Sequence, residues 1–297
     1  MATLRDIRRR IAGVKSTQKI TKAMKMVAAA KMRRAQESIM QARPYARTMS
    51  EMLRHLSSTI DTARFPELCE REEVNAVAVI IVTADRGMCG AFNSNIFKAA
   101  AAHIEANYSE LNARGKVKLI LVGKKGVEFF SKRAYTIYAR HIGVFQGLNF
   151  AAARSIALEA AQGFVKGEFD RVDIVYNEFK NAAQQRLVVE QFLPVPPPPK
   201  EKNQAFYKKI DYIYEPTGDQ IIEALVPKHL NFQVWRVLLE SNAAEQGARM
   251  TAMENASTNA RDLIRVLELN YNKARQAAIT KELLEIVSGA EALRQAS

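Results

Sequence analysis

The sequence predicts an α/β protein in which a long antiparallel coiled coil, made by N- and C-terminal helices, is joined to a central α/β domain with a mainly parallel sheet. Three observations predict it. Apolar residues near the N-terminus recur at alternating steps of three and four. A near-helical period returns in the last part of the chain. Between them, short runs rich in Val and Ile alternate with helical stretches. The expected boundaries are 1–60 for the first helix, 74–213 for the central domain and 214–297 for the last helix.

The first helix is read from Met32, Ala35, Ile39, Ala42, Ala46, Met49, Leu53, Leu56 and Ile60, whose mean step of 3.5 is a heptad seam. Leu4, Ile7, Ile11 and Val14 begin a similar seam. The polar run from Lys15 to Lys22 is expected to break it, and Pro44 to bend the helix by removing one backbone hydrogen bond. A helix of sixty residues would be about 90 Å long and cannot bury its seam alone. Its expected partner is the C-terminal helix, with Ala256, Ala260, Leu263, Leu267, Tyr271, Ala274 and Ala278 as the facing seam.

Between these ends, residues 77–83, 117–123, 135–138, 172–176 and 186–190 read as strands. Helices are expected over roughly 94–112, 126–133 and 151–166. Apolar strands alternating with helices argue a Rossmann-like sheet covered on both faces. The run Pro194-Val-Pro-Pro-Pro-Pro199 can continue neither a sheet nor a helix and reads as an extended connector.

Composition narrows the function. Hydrophobic residues make up 48% of the 297 positions, enough for a sizeable core and too many for a disordered chain. The formal charge is +13, and residues 1–60 supply +11 of it, with fourteen Lys and Arg against Asp6, Glu37 and Glu51. Such a helix suits an acidic partner, a nucleic acid, or merely solvent. No aromatic residue lies among the charges from Arg8 to Arg34 for base stacking, which weighs against nucleic acid. Cys69 and Cys89 are too few for a disulfide framework, so a reducing compartment is expected. No run of about 18 apolar residues marks a membrane span.

No catalytic constellation is visible. The turn Thr83–Asn95 follows a strand, but Gly87 and Gly90 do not form the dinucleotide fingerprint, and no P-loop occurs. A tight turn ordered by Asp85 and Arg86 is the simpler reading, with Cys89 a small buried thiol. His55, His103, His141 and His229 are scattered, and Asp170 and Asp173 read as a solvated turn. No cofactor and no metal are expected.

Three blocks resemble the gamma subunit of the F-type ATP synthases. They are Ile7-Arg-Arg-Arg-Ile-Ala-Gly-Val-Lys-Ser-Thr-Gln-Lys-Ile-Thr-Lys-Ala-Met-Lys-Met-Val-Ala-Ala-Ala-Lys-Met32, the Thr83–Asn95 turn, and Glu240–Met253 with Ile279-Thr-Lys-Glu-Leu-Leu-Glu-Ile-Val-Ser-Gly-Ala290. The resemblance implies a non-catalytic rotor shaft. Its coiled coil would stand within three alpha and three beta subunits, with the central domain beside the epsilon subunit and the c-ring. It implies contacts to the alpha and beta subunits through Met24, Lys25, Arg249, Gln276, Thr280, Glu282 and Glu285. Leu283, Leu284, Ile286 and Val287 would form an apolar tip. No nucleic-acid partner, cofactor or metal is implied. The family's chloroplast members carry an inserted cysteine pair that this sequence lacks. That leaves a bacterial or a mitochondrial inner membrane, and the start at Met1 favours the bacterial one, with the chain peripheral on the cytoplasmic side.

Overall fold

The computed structural model describes residues 3–59, 64–69, 71, 73–182, 184–196, 215 and 217–295. Ile60 and half of the proline run, residues 197–199, lie outside them. The chain divides into two compact units, Met1–Val27 with Met250–Ser297, and Ala28–Arg249. Two long helices, α1 (Leu4–Thr59) and α5 (Gly218–Gln295), each contribute a stretch to both units. Each is one assigned helix, through Pro44 and through Pro227 respectively.

In the first unit, α1 starts on a reciprocal cap. The Asp6 backbone N–H donates to the Thr3 hydroxyl and the Thr3 N–H donates to the Asp6 carboxylate, at 3.3 and 3.1 Å. The helices run antiparallel, because partner numbers on α5 fall as those on α1 rise. Arg8 meets Tyr271, Lys15 meets Glu268, Thr21 meets Ser257 and Lys25 meets Glu254.

The second unit is built on a five-stranded sheet: β1 (Val77–Val82), β2 (Val117–Val122), β3 (Thr136–His141), β4 (Arg171–Phe179) and β5 (Gln185–Leu193). The order is β3-β2-β1-β4-β5, parallel except for the antiparallel edge strand β5. All six residues of β1 are buried. Ala78, Ile80 and Val82 share one core with α4 (Phe150–Val165), with Met49, Leu53 and Leu56 of α1, and with the start of α5. Val77, Val79 and Ile81 share the other with α2 (Phe92–Ala113). That core also includes Phe130 of the short helix α3 (Lys124–Phe130). Covering both faces explains why β1, at the centre of the sheet, reads as an unbroken apolar run.

Asp170 and Asp173 are not a solvated turn. Asp173 is buried within β4, where one carboxylate oxygen accepts from the Tyr108 hydroxyl (2.6 Å) and from His103 Nε2 (2.8 Å). Arg171 Nε donates to the other oxygen at 3.0 Å. Asp170 bonds Arg71 and the backbone N–H groups of Asn75 and Ala76, which fastens the approach to β1. Burial alone would raise the Asp173 carboxyl. The hydrogen bonds from His103 and Tyr108, with the Arg171 charge, outweigh it and hold the group below its ordinary value.

Two expectations follow. A depressed carboxyl stabilises the fold above its unfolded value near 3.8, and that support is lost as pH falls through the folded value. The stability difference between the wild type and Asp173→Asn should therefore be largest near neutral pH and shrink in acid, measured by urea unfolding across pH. Glycines separate as cleanly. A Cβ at Gly163 would lie 2.2 Å from the Phe169 ring, whereas at Gly13 it meets nothing within 4 Å. Gly163→Ala should cost about 1–3 kcal/mol by overpacking. Gly13→Ala, in a helix interior, should gain roughly 0.5–1 kcal/mol in the same assay.

Candidate partner-binding surface of the helical pair

The seam of the first unit does not break at the polar run. In α1, Leu4, Ile7, Ile11, Val14 and Gln18 are half-buried and Thr21 is buried, still at alternating steps of three and four. The period persists because the polar members find partners. The Thr21 and Ser257 hydroxyls lie 2.7 Å apart, and Thr21 donates to the Gln18 carbonyl at 3.1 Å, so Ser257 supplies the hydrogen between them. One turn on, Lys25 pairs with Glu254. On α5 the seam is Met253, Ser257, Ala260, Ile264 and Leu267, followed by half-buried Tyr271, Ala274 and Ala278. Leu263, expected in the seam, is 42% exposed, and its neighbour Ile264, at 8%, fills that place. Ala260 to Leu263 is a step of three where the alternation requires four.

Beyond Ala278 the helix changes face. Continuing the seam's steps leads to Lys281, Glu285 and Ser288, with Lys281 and Glu285 paired at 3.7 Å. None of the apolar residues Leu283, Leu284, Ile286 and Val287 falls on that line. Leu283, Leu284, Ile286 and Val287 are between 57% and 68% exposed. Gln276, Thr280, Glu282 and Glu285 are exposed on the same stretch. A contiguous apolar surface of this kind, edged by charge, is suited to a partner.

Met24 and Lys25 are both half-buried in the first unit, and Lys25 is engaged by Glu254. Arg249 belongs to the second unit. Its guanidinium is bonded to the Glu245 carboxylate (2.8 Å) and to the Gly87 carbonyl (3.2 Å), leaving its side chain 12% exposed. Burial pushes the Glu245 carboxyl up, and Arg249 opposes that shift. Arg249 thus fastens α5 to the Thr83–Asn95 turn.

Within that turn, side chains bond to one another and to the main chain. The Asn93 side chain accepts the Ala84 N–H and donates to Cys89 Sγ, and Cys89 is buried with its thiol pushed up by burial. Gly90 adopts φ +60°, as the tight turn requires. Among the described residues, no group of acidic, His or Cys side chains could hold a metal ion. What the sequence reading missed are the partners across the seam, Glu254, Ser257 and Glu268. The signal was available: the heptad steps run on through Gln18, Thr21 and Lys25 if polar residues are counted.

A family model described as ATP synthase matches residues 3–293. The chain is 57% identical to the ATP synthase gamma chain of Chlorobaculum tepidum over 99% of its own length and 100% of that protein's. It is 52% identical to that of Chloroherpeton thalassium, with both chains covered in full. Among solved structures, it resembles a chain of the Euglena gracilis mitochondrial ATP synthase with a TM-score of 0.67 and 22% identity, over 98% of this chain and 94% of that one. It also resembles a chain in the central stalk and c-ring of the Tetrahymena thermophila mitochondrial ATP synthase. The TM-score there is 0.59, with 27% identity over 80% of this chain and 99% of that one.

The exposures at 263 and 264 set a direct test. Ile264→Asp should destabilise the helical pair by roughly 3–5 kcal/mol, since it buries an unpaired charge in place of a packed side chain. Leu263→Asp should change it by less than about 1 kcal/mol. Urea titration followed by helical circular dichroism distinguishes them.

Proposed function

The chain belongs to the ATP synthase gamma-chain family, and from that premise we propose that it is the shaft through which ion-driven rotation reaches the sites of ATP synthesis. It is a central-stalk subunit of the F-type ATP synthase and not itself the catalyst. The observation that carries this reading is the family match from residue 3 to residue 293, at high identity and with full coverage.

The paired helices stand within a ring of three alpha and three beta subunits. The sheet-bearing unit meets the epsilon subunit and the c-ring. Proton flow turns the c-ring, the shaft turns with it, and its unequal faces drive each beta subunit in turn through states that bind, condense and release nucleotide. The shaft thereby governs both ATPase activity and ion flow. Two helices of different sequence, one capped early and one running past it, present different side chains to each beta subunit at any moment.

Gln276, Thr280, Glu282 and Glu285, exposed on α5, supply the polar contacts to the ring, with Met24 and Lys25 on α1. Leu283, Leu284, Ile286 and Val287 are the tip held in an apolar bearing. Arg249 joins the contact set from its place between Glu245 and Gly87. The surplus of positive charge on α1 favours acidic loops on the partner, with an attraction that salt weakens. The complex is membrane-associated, while among the described residues no helix of this chain is long and apolar enough to cross a membrane. Its place is the cytoplasmic face of a bacterial inner membrane, bound through the c-ring.

Co-expression with alpha and beta subunits provides the test. The expected product is an assembly with one copy of this chain per three alpha–beta pairs and cooperative ATP hydrolysis. A chain that purifies away from those subunits and instead binds nucleic acid with a steep salt dependence would overturn the proposal. Within a successful assembly, Leu283→Ser with Ile286→Ser should lower the yield of stable complex without changing the fold of the isolated chain.

A further inference from the structure

The loops that follow the first three strands converge on one carboxylate. Asp85, just past the end of β1, is 8% exposed. Its Oδ1 accepts the backbone N–H of Lys124 at 3.0 Å and of Gly143 at 2.9 Å, and its Oδ2 accepts that of Phe145 at 3.1 Å. Lys124 comes directly after the loop that ends β2, and Gly143 and Phe145 come after β3. All three donors belong to the main chain. They come from two separate segments, one after β2 and one after β3, and neither carries the side chain at 85. Gly143 adopts φ +81°, which turns the loop after β3 towards the carboxylate.

Backbone N–H groups gathered at the carboxyl ends of parallel strands are what α/β folds offer to the anionic part of a ligand. A carboxylate satisfies such donors as an oxyanion would, through short charge-assisted hydrogen bonds. We infer that Lys124, Gly143 and Phe145 form an oxyanion site for a small carboxylate, and that Asp85 is its built-in occupant. The chain supplies its own anion, so the site is closed to others. The same three bonds tie the turn that carries exposed Arg86 and Met88 to the loops after β2 and β3. Asp85 is therefore a positioning residue for that turn. The inference stands on the second unit alone and does not depend on the shaft reading.

An ordinary structural aspartate and a self-occupied anion site differ in one respect. Only the second can be refilled by a free anion once the side chain is cut away. Asp85→Ala in the full chain removes a group the size of formate and leaves the three donors in place. The thermal midpoint of this variant should fall by roughly 5–10 °C in sodium chloride. In sodium formate at equal ionic strength, at least half of that loss should return, with a saturable dependence on formate. The wild type should have the same midpoint in both salts. Asp85→Asn, whose side chain still fills the void, should be destabilised but indifferent to formate. If Asp85→Ala does not fold in chloride, its soluble yield after refolding from urea is compared in the two salts, and a higher yield in formate is expected. Equal behaviour of Asp85→Ala in formate and chloride, or a midpoint like that of the wild type, would overturn the inference.

Discussion

Neither terminal helix can satisfy its own apolar stripe, and the structure depends on that constraint. Among the described residues of the first unit, Leu4, Ile7, Ile11 and Val14 of α1 face α5, and Met253, Ala260, Ile264 and Leu267 of α5 face α1. A helix pair of this kind is stabilised chiefly by removing that stripe from water, at about 25 cal/mol per Å² of apolar area. The surface pairs Lys15–Glu268 and Arg8–Tyr271 add little, since both are exposed. Their value lies in direction: opposite charges and a phenol fall into line only when the helices run antiparallel.

The seam also contains an exception to its own rule. Thr21 and Ser257 bring two hydroxyls into the buried layer, and each is satisfied there. Replacing Thr21 would take from Ser257 the partner it has across the seam, at about 1–3 kcal/mol for a buried polar group, whereas replacing Ser257 would leave Thr21 its bond to the Gln18 carbonyl. The layer is tolerated because it is complete. The second unit follows the same logic at Asp173, where three different side chains converge on a single buried carboxylate.

Much of this was legible in the amino-acid pattern. Among the described residues, five strands and five α-helices lie close to where periodicity and β-branched runs put them. The mainly parallel order follows from central strands that are largely apolar on both faces, whereas the antiparallel pairing of the edge strand β5, half-exposed and partly polar, does not follow from the pattern. The failures share one cause. Polar residues in a sequence suggest solvent, which is why Lys15–Lys22 looks like a break and Asp170 with Asp173 like a wet turn. In each case a partner distant in sequence satisfies the group: Ser257 for Thr21, Glu254 for Lys25, Tyr108 and His103 for Asp173. Periodicity reports which face a residue occupies. Polarity alone does not report whether that face is wet. Leu263 failed differently, because a single three-residue step placed where four was needed moves a side chain about 100° around the helix. The tip residues stood out as apolar in sequence, but their offset from the seam becomes plain only once the seam's true line is known.

The first unit joins the first twenty-seven residues to the last forty-eight. A ribosome finishes its N-terminal half long before the C-terminal half exists. Throughout synthesis of the intervening segment, Leu4, Ile7, Ile11 and Val14 have no partner to cover them. Contacts this distant in sequence form last and leave apolar surface open to aggregation in the interval. The charge carried by the same residues answers that hazard. Arg5, Arg8, Arg9, Arg10, Lys15, Lys19, Lys22 and Lys25 stand against a single Asp6, so waiting chains repel one another. The basic start that suits an acidic partner in the finished assembly also keeps the nascent chain soluble until its own other end arrives.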